Sequence, residues 1–149
     1  MTPFETAVAF TLREETGGDH TGALHTDPAD PGGTTKWGIA QRYHPNIDVA
    51  KLTRDQAVDI YRQQYWKPAG CEFMIPPLAV AAFDCAVLQG TERARDFYEK
   101  SKKSDKPVDE FHALRIMHLA SRGGWGRYKV GWTRRVIRCH RLCVKMEKE

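Results

Sequence analysis

From Gly17 to Thr35 the chain is a run of Gly, Pro, Asp, Thr and His with no hydrophobic period, set between segments whose apolar residues recur at helical spacing. A connection this long inside a compact domain is usually functional or without structure of its own. The fold must therefore be a helical body that carries one long polar excursion after its first helix. Two Asp-Pro steps and a Gly pair in Asp27-Pro28-Ala29-Asp30-Pro31-Gly32-Gly33-Thr34-Thr35 make a rigid, tightly turned segment, able to hold a carboxylate and a hydroxyl at fixed positions. Ala23 to Thr26 can be extended, which allows a short hairpin around Gly22. The Asp spacing is not that of a calcium loop. Gly-Gly-Thr-Thr-Lys lacks the order of a phosphate loop.

The helices are marked by their punctuation. Pro3 suits a first turn, Phe4, Val8 and Leu12 share a face, and Gly17-Gly18 stops the helix predicted over 3–15. A short helix is predicted near Trp37 to Tyr43, broken by Pro45. Thr53 and Gln56 form a capping box for a helix that runs through Ala57, Ile60, Tyr61 and Tyr65 to Pro68. Pro76-Pro77 opens another, with Val80, Phe83, Ala86 and Val87 apolar and Gly90 at its end. Further helices are predicted over Thr91 to Lys100, Val108 to Ala120 and Gly126 to Lys145. The expected fold class is mainly α, helical with one long polar loop or small β-hairpin after the first helix. Residues 91–149 would form a helical segment packed on residues 1–90, in one globule.

With 41% hydrophobic and 28% charged residues, disorder and low complexity are excluded. Ile75 to Leu88 is too short to span a membrane and contains Asp84. No basic region followed by an apolar one opens the chain, so no secretory signal is expected. The net charge of +4 conceals an asymmetry: residues 1–60 carry 5 Lys/Arg against 9 Asp/Glu, and residues 61–149 carry 18 against 10. An acidic front and a basic back suggest chemistry in front and an anionic partner behind, although a solvated helix surface would look the same.

Glu14 and Glu15 end the first helix. At about 100° per residue Glu15 falls on the stripe of Phe4, Val8 and Leu12, and Glu14 falls outside it, toward water. Glu15 thus faces the core or a cleft, where desolvation raises a carboxyl pKa as a general acid requires. Asp84 lies on the apolar side of its helix and needs a partner there, which reads as a structural or supporting acid rather than a catalytic one. Cys71, Cys85, Cys139 and Cys143 form no Cys-x-x-Cys pair. Cys139 and Cys143 share a helical face, but His140 beside them points elsewhere and no fourth ligand is evident, so free buried thiols are expected. His20, His25 and His44 lack helical ligand spacing. No metal site and no cofactor is expected.

Glu15 with Gly17-Gly18, and then Asp27-Pro-Ala-Asp30-Pro-Gly-Gly-Thr-Thr35-Lys-Trp-Gly38-Ile39, resembles glycoside hydrolase family 108, the peptidoglycan N-acetylmuramidases of phage endolysins and related secretion-associated enzymes. Leu52 through Trp66, Pro76 through Gly90 and Gly131 to Arg135 agree more weakly, so the resemblance covers most of residues 4–140. Two departures stand out. Thr16 separates Glu15 from the Gly pair, and the stretch before Asp27 is longer than the family's.

The resemblance implies a lysozyme-like α+β domain with residues 1–90 as the muramidase catalytic core, residues 91–149 as a candidate peptidoglycan-binding segment, and hydrolysis of the β-1,4 bond between N-acetylmuramic acid and N-acetylglucosamine. It assigns Glu15 as acid, with Glu14 its alternative, and Asp30 as base or electrostatic stabiliser, with Asp27 its alternative. Thr35 would hold the water. Trp37, Tyr43, Tyr65 and Trp66 are candidates for lining the glycan cleft, with core packing the competing role of each. Inversion is expected from the resemblance alone, since sequence gives no carboxyl separation. Peptidoglycan is the expected partner. A basic face on the last helix (Arg127, Arg134, Arg138, Arg141 and Lys145) would hold anionic outer-membrane lipid without taking part in bond cleavage. No stable nucleic-acid complex, no membrane span and a monomer are expected. Synthesis would be cytoplasmic, and action on the wall would follow release by a holin or a secretion system. The rival readings are a lytic transglycosylase, a basic envelope- or nucleic-acid-binding module, and an inactive wall-binding relative.

Overall fold

The computed structural model of the 149-residue chain describes residues 1–26 and 33–149. The first helix, α1 (Pro3–Thr16), opens with a reciprocal cap: Glu5 N–H donates to Thr2 Oγ1, and Thr2 N–H donates to Glu5 Oε2. Gly17, at φ 63°, ends it in the left-handed region. Three short antiparallel strands follow, β1 (His25–Thr26), β2 (Thr34–Lys36) and β3 (Ile39–Ala40), in sheet order β1-β2-β3. The remaining helices are α2 (Arg54–Tyr61), α3 (Pro76–Gln89), α4 (Thr91–Ser101), α5 (Pro107–Ser121) and α6 (Trp125–Glu147). The fold is the expected one, mainly helical with a small β-hairpin region after the first helix. Among the described residues no helix is long and apolar enough to cross a membrane.

At the centre lies α3. Its run of Leu78 to Ala86 is buried on every side, which is what a helix apolar all round requires. Packed against it are α1, α4, α5 and α6. The aromatic part of the core is built from Phe4, Tyr61, Trp66 and Phe83, whose rings meet edge-on or tilted at 5.2–6.1 Å between centroids.

Two local predictions are corrected. No helix starts at Trp37. Trp37 (φ 54°) and Gly38 (φ 74°) are both left-handed and make the two-residue turn between β2 and β3. That is the primed turn which matches strand twist, and it leaves only one short 3₁₀ turn over Gln41–Tyr43 for the predicted helix. After α2, whose Thr53–Gln56 capping box forms as expected, the chain widens into a π turn over Arg62–Trp66, with Lys67 N–H donating to Arg62 O at 3.0 Å. In a regular helix Tyr61 and Trp66 would be about 140° apart. The wide turn turns both inward.

Candidate active site

Glu15 sits in the last turn of α1, at the floor of a cleft. Thr16, Asp19, Gly22, Ala23, His25, Thr35, Trp37 and Gly38 line it with Glu15. Two wider grooves, one beside Gly70 and Tyr98 and one beside Leu52 and Ile60, contain none of the expected catalytic residues. The cleft depends on two glycines. A Cβ on Gly38 would lie 2.4 Å from the Tyr61 hydroxyl oxygen and 2.9 Å from Glu15 Cβ, so only glycine lets the hairpin turn press against the acid. A Cβ on Gly22 would stand 2.3 Å from the Trp37 ring, so this glycine seats the indole. The Tyr61 hydroxyl donates to the Trp37 carbonyl at 3.0 Å and ties the turn to α2. Burial, and then the charge of Glu15, push the Tyr61 and Tyr65 phenols up, so both stay protonated beside the cleft.

Behind Glu15 is a buried ionic network. Arg135 of α6 donates from Nη1 to Glu15 Oε1 at 2.8 Å and from Nη2 to Asp84 Oδ1 at 2.9 Å. Asp84 also accepts from Arg115 Nη2 at 2.9 Å and from Thr11 Oγ1 at 2.9 Å. Gln89 accepts from Arg115 Nε at 2.8 Å. Two carboxylates and two guanidiniums make the cluster formally neutral, the condition for keeping it out of water. Burial pushes the Asp84 carboxyl up, but Arg135 and Arg115 outweigh it and hold it at about 2. Asp84 thus has the supporting role expected of it. Arg115 and Arg135 belong to residues 91–149, so that segment supplies part of the network behind Glu15.

The neighbouring carboxylate is placed differently from the expectation. Glu14 does not face open water. Its side chain is 10% exposed under Arg138, which donates from Nε and Nη2 to its two oxygens at 2.7 Å each. Of the basic face expected on the last helix, Arg138 is drawn onto Glu14, while Arg135, which lies outside that face, reaches Glu15.

The other candidates divide. Thr35 and Trp37 are brought to the cleft with Glu15. Tyr65 is half-buried against Tyr61, close enough to feel the Glu15 charge. Trp66 is 6% exposed and is a core residue, carried inward by the π turn, not a lining one. Tyr43 is 72% exposed on the 3₁₀ turn, under Arg42, and does not line the cleft. Asp27 and Asp30 lie outside the described residues.

Asp19 and His25, which the sequence did not single out, also line the cleft. Asp19 accepts from the N–H and hydroxyl of Thr21 and from the Ala23 N–H, bonds that hold its pKa at about 2 and shape the loop. A signal existed in the Asp-x-Thr spacing of Asp19 and Thr21, typical of side chains that close their own turns.

Residues 8–90 match the family described as Glycosyl hydrolase 108. The chain is also similar to a solved structure titled "Structure of Brucella abortus SagA", at 23% identity and a TM-score of 0.78, over 98% of this chain and 96% of that one. No curated protein sequence matches it. The matched span takes in Glu15, the Trp37–Gly38 turn and Asp84, and with a muramidase-like fold around them the chain belongs to glycosyl hydrolase family 108.

Proposed function

We propose that the protein is a peptidoglycan N-acetylmuramidase that hydrolyses the β-1,4 bond between N-acetylmuramic acid and N-acetylglucosamine, with Glu15 as general acid. One observation carries the reading: Glu15, at the floor of the cleft, is fixed through Oε1 by Arg135 while its side chain stays 24% exposed. No hydrogen bond among the described residues reaches Oε2, so that oxygen is free to carry a proton toward a bound glycosidic oxygen. As that oxygen leaves with the proton, positive charge develops on the sugar ring and a water completes the substitution. Asp30, or Asp27 in its place, would activate the water, and Thr35 would hold it. Asp19, ionised near neutral pH by its three hydrogen bonds, adds negative charge beside the developing cation.

The substrate would lie in the cell envelope, and a holin or a secretion system would give access to it. On α6 the exposed Arg127, Arg134, Arg141 and Lys145 offer cationic contacts to anionic wall or outer-membrane lipid. Arg138 is already committed to Glu14.

The test is digestion of purified peptidoglycan with mass analysis of the fragments. Wild type is expected to release muropeptides with reducing ends, and Glu15→Gln none. Anhydro-muramic ends would identify a transglycosylase and overturn the hydrolytic reading. Full activity in Glu15→Gln would overturn the assignment of the acid.

A further inference from the structure

Outside the cleft lining, α5 and α6 enclose a cluster of soft donors that the proposed hydrolysis does not use. The ligand atoms of His112, Cys139 and Cys143 all lie within 4.8 Å of one another, and all three residues are buried. The cysteines are one helical turn apart on α6 and are free thiols. His112 comes from the facing helix, a pairing that local sequence spacing could not reveal. Adjacent His140, the obvious partner by sequence, is spent on Asp109, its Nε2 lying 2.7 Å from Oδ1.

The histidine is what distinguishes this cluster from an ordinary packed core. His112 is 4% exposed, and its Nδ1 lies 2.8 Å from the Val108 carbonyl oxygen. A carbonyl only accepts, so Nδ1 carries the proton and Nε2 is left with its lone pair. That Nε2 is buried without a hydrogen-bond partner and has the two sulfurs beside it. Buried thiols explain themselves as small apolar side chains. A buried imidazole lone pair does not, because the thiols beside it are only weak donors and desolvating an acceptor without a strong partner is costly. An imidazole whose far nitrogen is fixed by a backbone carbonyl is also the arrangement that metal-ligating histidines use.

We propose that His112 Nε2, Cys139 Sγ and Cys143 Sγ form a binding site for a zinc ion, with water in the fourth position. Binding breaks two S–H bonds and makes two Zn–S bonds and one Zn–N bond, and two protons pass to solvent. Zinc is favoured over copper(I) by charge. Two thiolates and a neutral imidazole bring a divalent ion to zero net charge, which a fully buried site tolerates, whereas a monovalent ion would leave a buried anion. Tetrahedral zinc with these ligands sets donors about 3.5–3.8 Å apart, so the cluster needs to contract by only about 1 Å. Such an ion would staple α5 to α6, the helix that delivers Arg135 to Glu15.

The experiment is titration of the intact, chelator-stripped and phosphine-reduced protein with zinc alone, and separately with cobalt(II) as a spectroscopic substitute. The expected result is one zinc per chain and a Tm higher by about 5–10 °C at a free zinc concentration about 100 times Kd. The cobalt form should show the near-ultraviolet charge-transfer absorption of bound thiolates. Cys143→Ala and His112→Ala should lose the stoichiometric ion, and His140→Ala should keep it. Failure to bind zinc at micromolar concentration, a cobalt spectrum without thiolate bands, or preference for copper(I) with zinc excluded would each overturn the assignment. The wild-type cobalt spectrum decides the matter even where a variant fails to fold. Peptidoglycan digestion is scored separately, so loss of either reading leaves the other standing.

Discussion

Two adjacent glutamates at the end of α1 meet two arginines on successive turns of α6, and the two pairs are unlike in almost every physical respect. Glu14 and Arg138 form a bidentate pair at the surface, with the arginine half exposed. Glu15 and Arg135 form a single-point contact at the floor of a cleft, and the arginine's remaining donors are anchored on the buried Asp84. The first pair uses both carboxylate oxygens and can do little besides hold two helices together. The second uses one oxygen and leaves the other available. On the proposed reading, the complete ion pair holds structure and the incomplete pairing at the cleft leaves an oxygen for chemistry.

The sharpest way to break this comparison is to neutralise each glutamate in turn. Glu15→Gln is expected to lower the rate on purified peptidoglycan by about 100- to 10,000-fold, the usual worth of general acid catalysis, while circular dichroism still shows the folded protein. Glu14→Gln should leave the rate within a few-fold. The reverse outcome would make Glu14 the acid and the comparison worthless.

Next in size is the support beneath Glu15. Asp84→Ala strands two buried guanidiniums and is expected to cost about 3–5 kcal/mol in urea unfolding. The same measurement on Arg138→Ala should show about 0–1 kcal/mol, since that arginine is half in water. Equal losses would mean that the surface pair carries as much of the fold as the buried one.

The pH dependence sharpens the contrast further. The Asp84 carboxyl is held at about 2, below its ordinary 3.8. A depressed folded pKa gives stability that is complete above the unfolded value and drains away as pH falls through the folded one. The window is therefore from about pH 4 to about pH 2, and the contribution is about 2–3 kcal/mol. Stability measured across that range should fall more steeply in wild type than in Asp84→Asn. Parallel curves would show that other carboxylates dominate acid unfolding.

The smallest effect is expected at the exposed cations. Charge reversal at Arg134 and Arg141 should weaken sedimentation with whole envelopes and make it less sensitive to salt, with turnover of a small soluble muropeptide unchanged. Arg138 is left out because its loss would disturb Glu14.

How much of this could be read beforehand depended on how far each partner lay along the chain. The Thr53–Gln56 cap and the Pro76-opened helix are local devices, and both formed as expected. Asp84 on an apolar face announced that it needed a partner, but nothing nearby said that Arg115 and Arg135 would supply it. Glu14 was expected in water because a helical wheel sees only its own helix, and the arginine that covers it is 124 positions away. Trp66 was misplaced because one wide turn changes the phase of every residue after it. The helix expected near Trp37 to Tyr43 gives way to a hairpin because Trp37 and Gly38 both take the left-handed backbone of a primed turn.

The reach of Arg135 also sets an order of assembly. Its contact with Glu15 joins residues 120 positions apart, whereas Asp84 meets Arg115 and Arg135 across 31 and 51. Closing the longer loop costs more chain entropy and is rewarded only once the helices between have docked. In a refolding experiment the aromatic core around Phe83 should regain its fluorescence signature before wall-degrading activity returns. A half-folded molecule would therefore be a harmless one, with Glu15, the proposed acid, still unmoored.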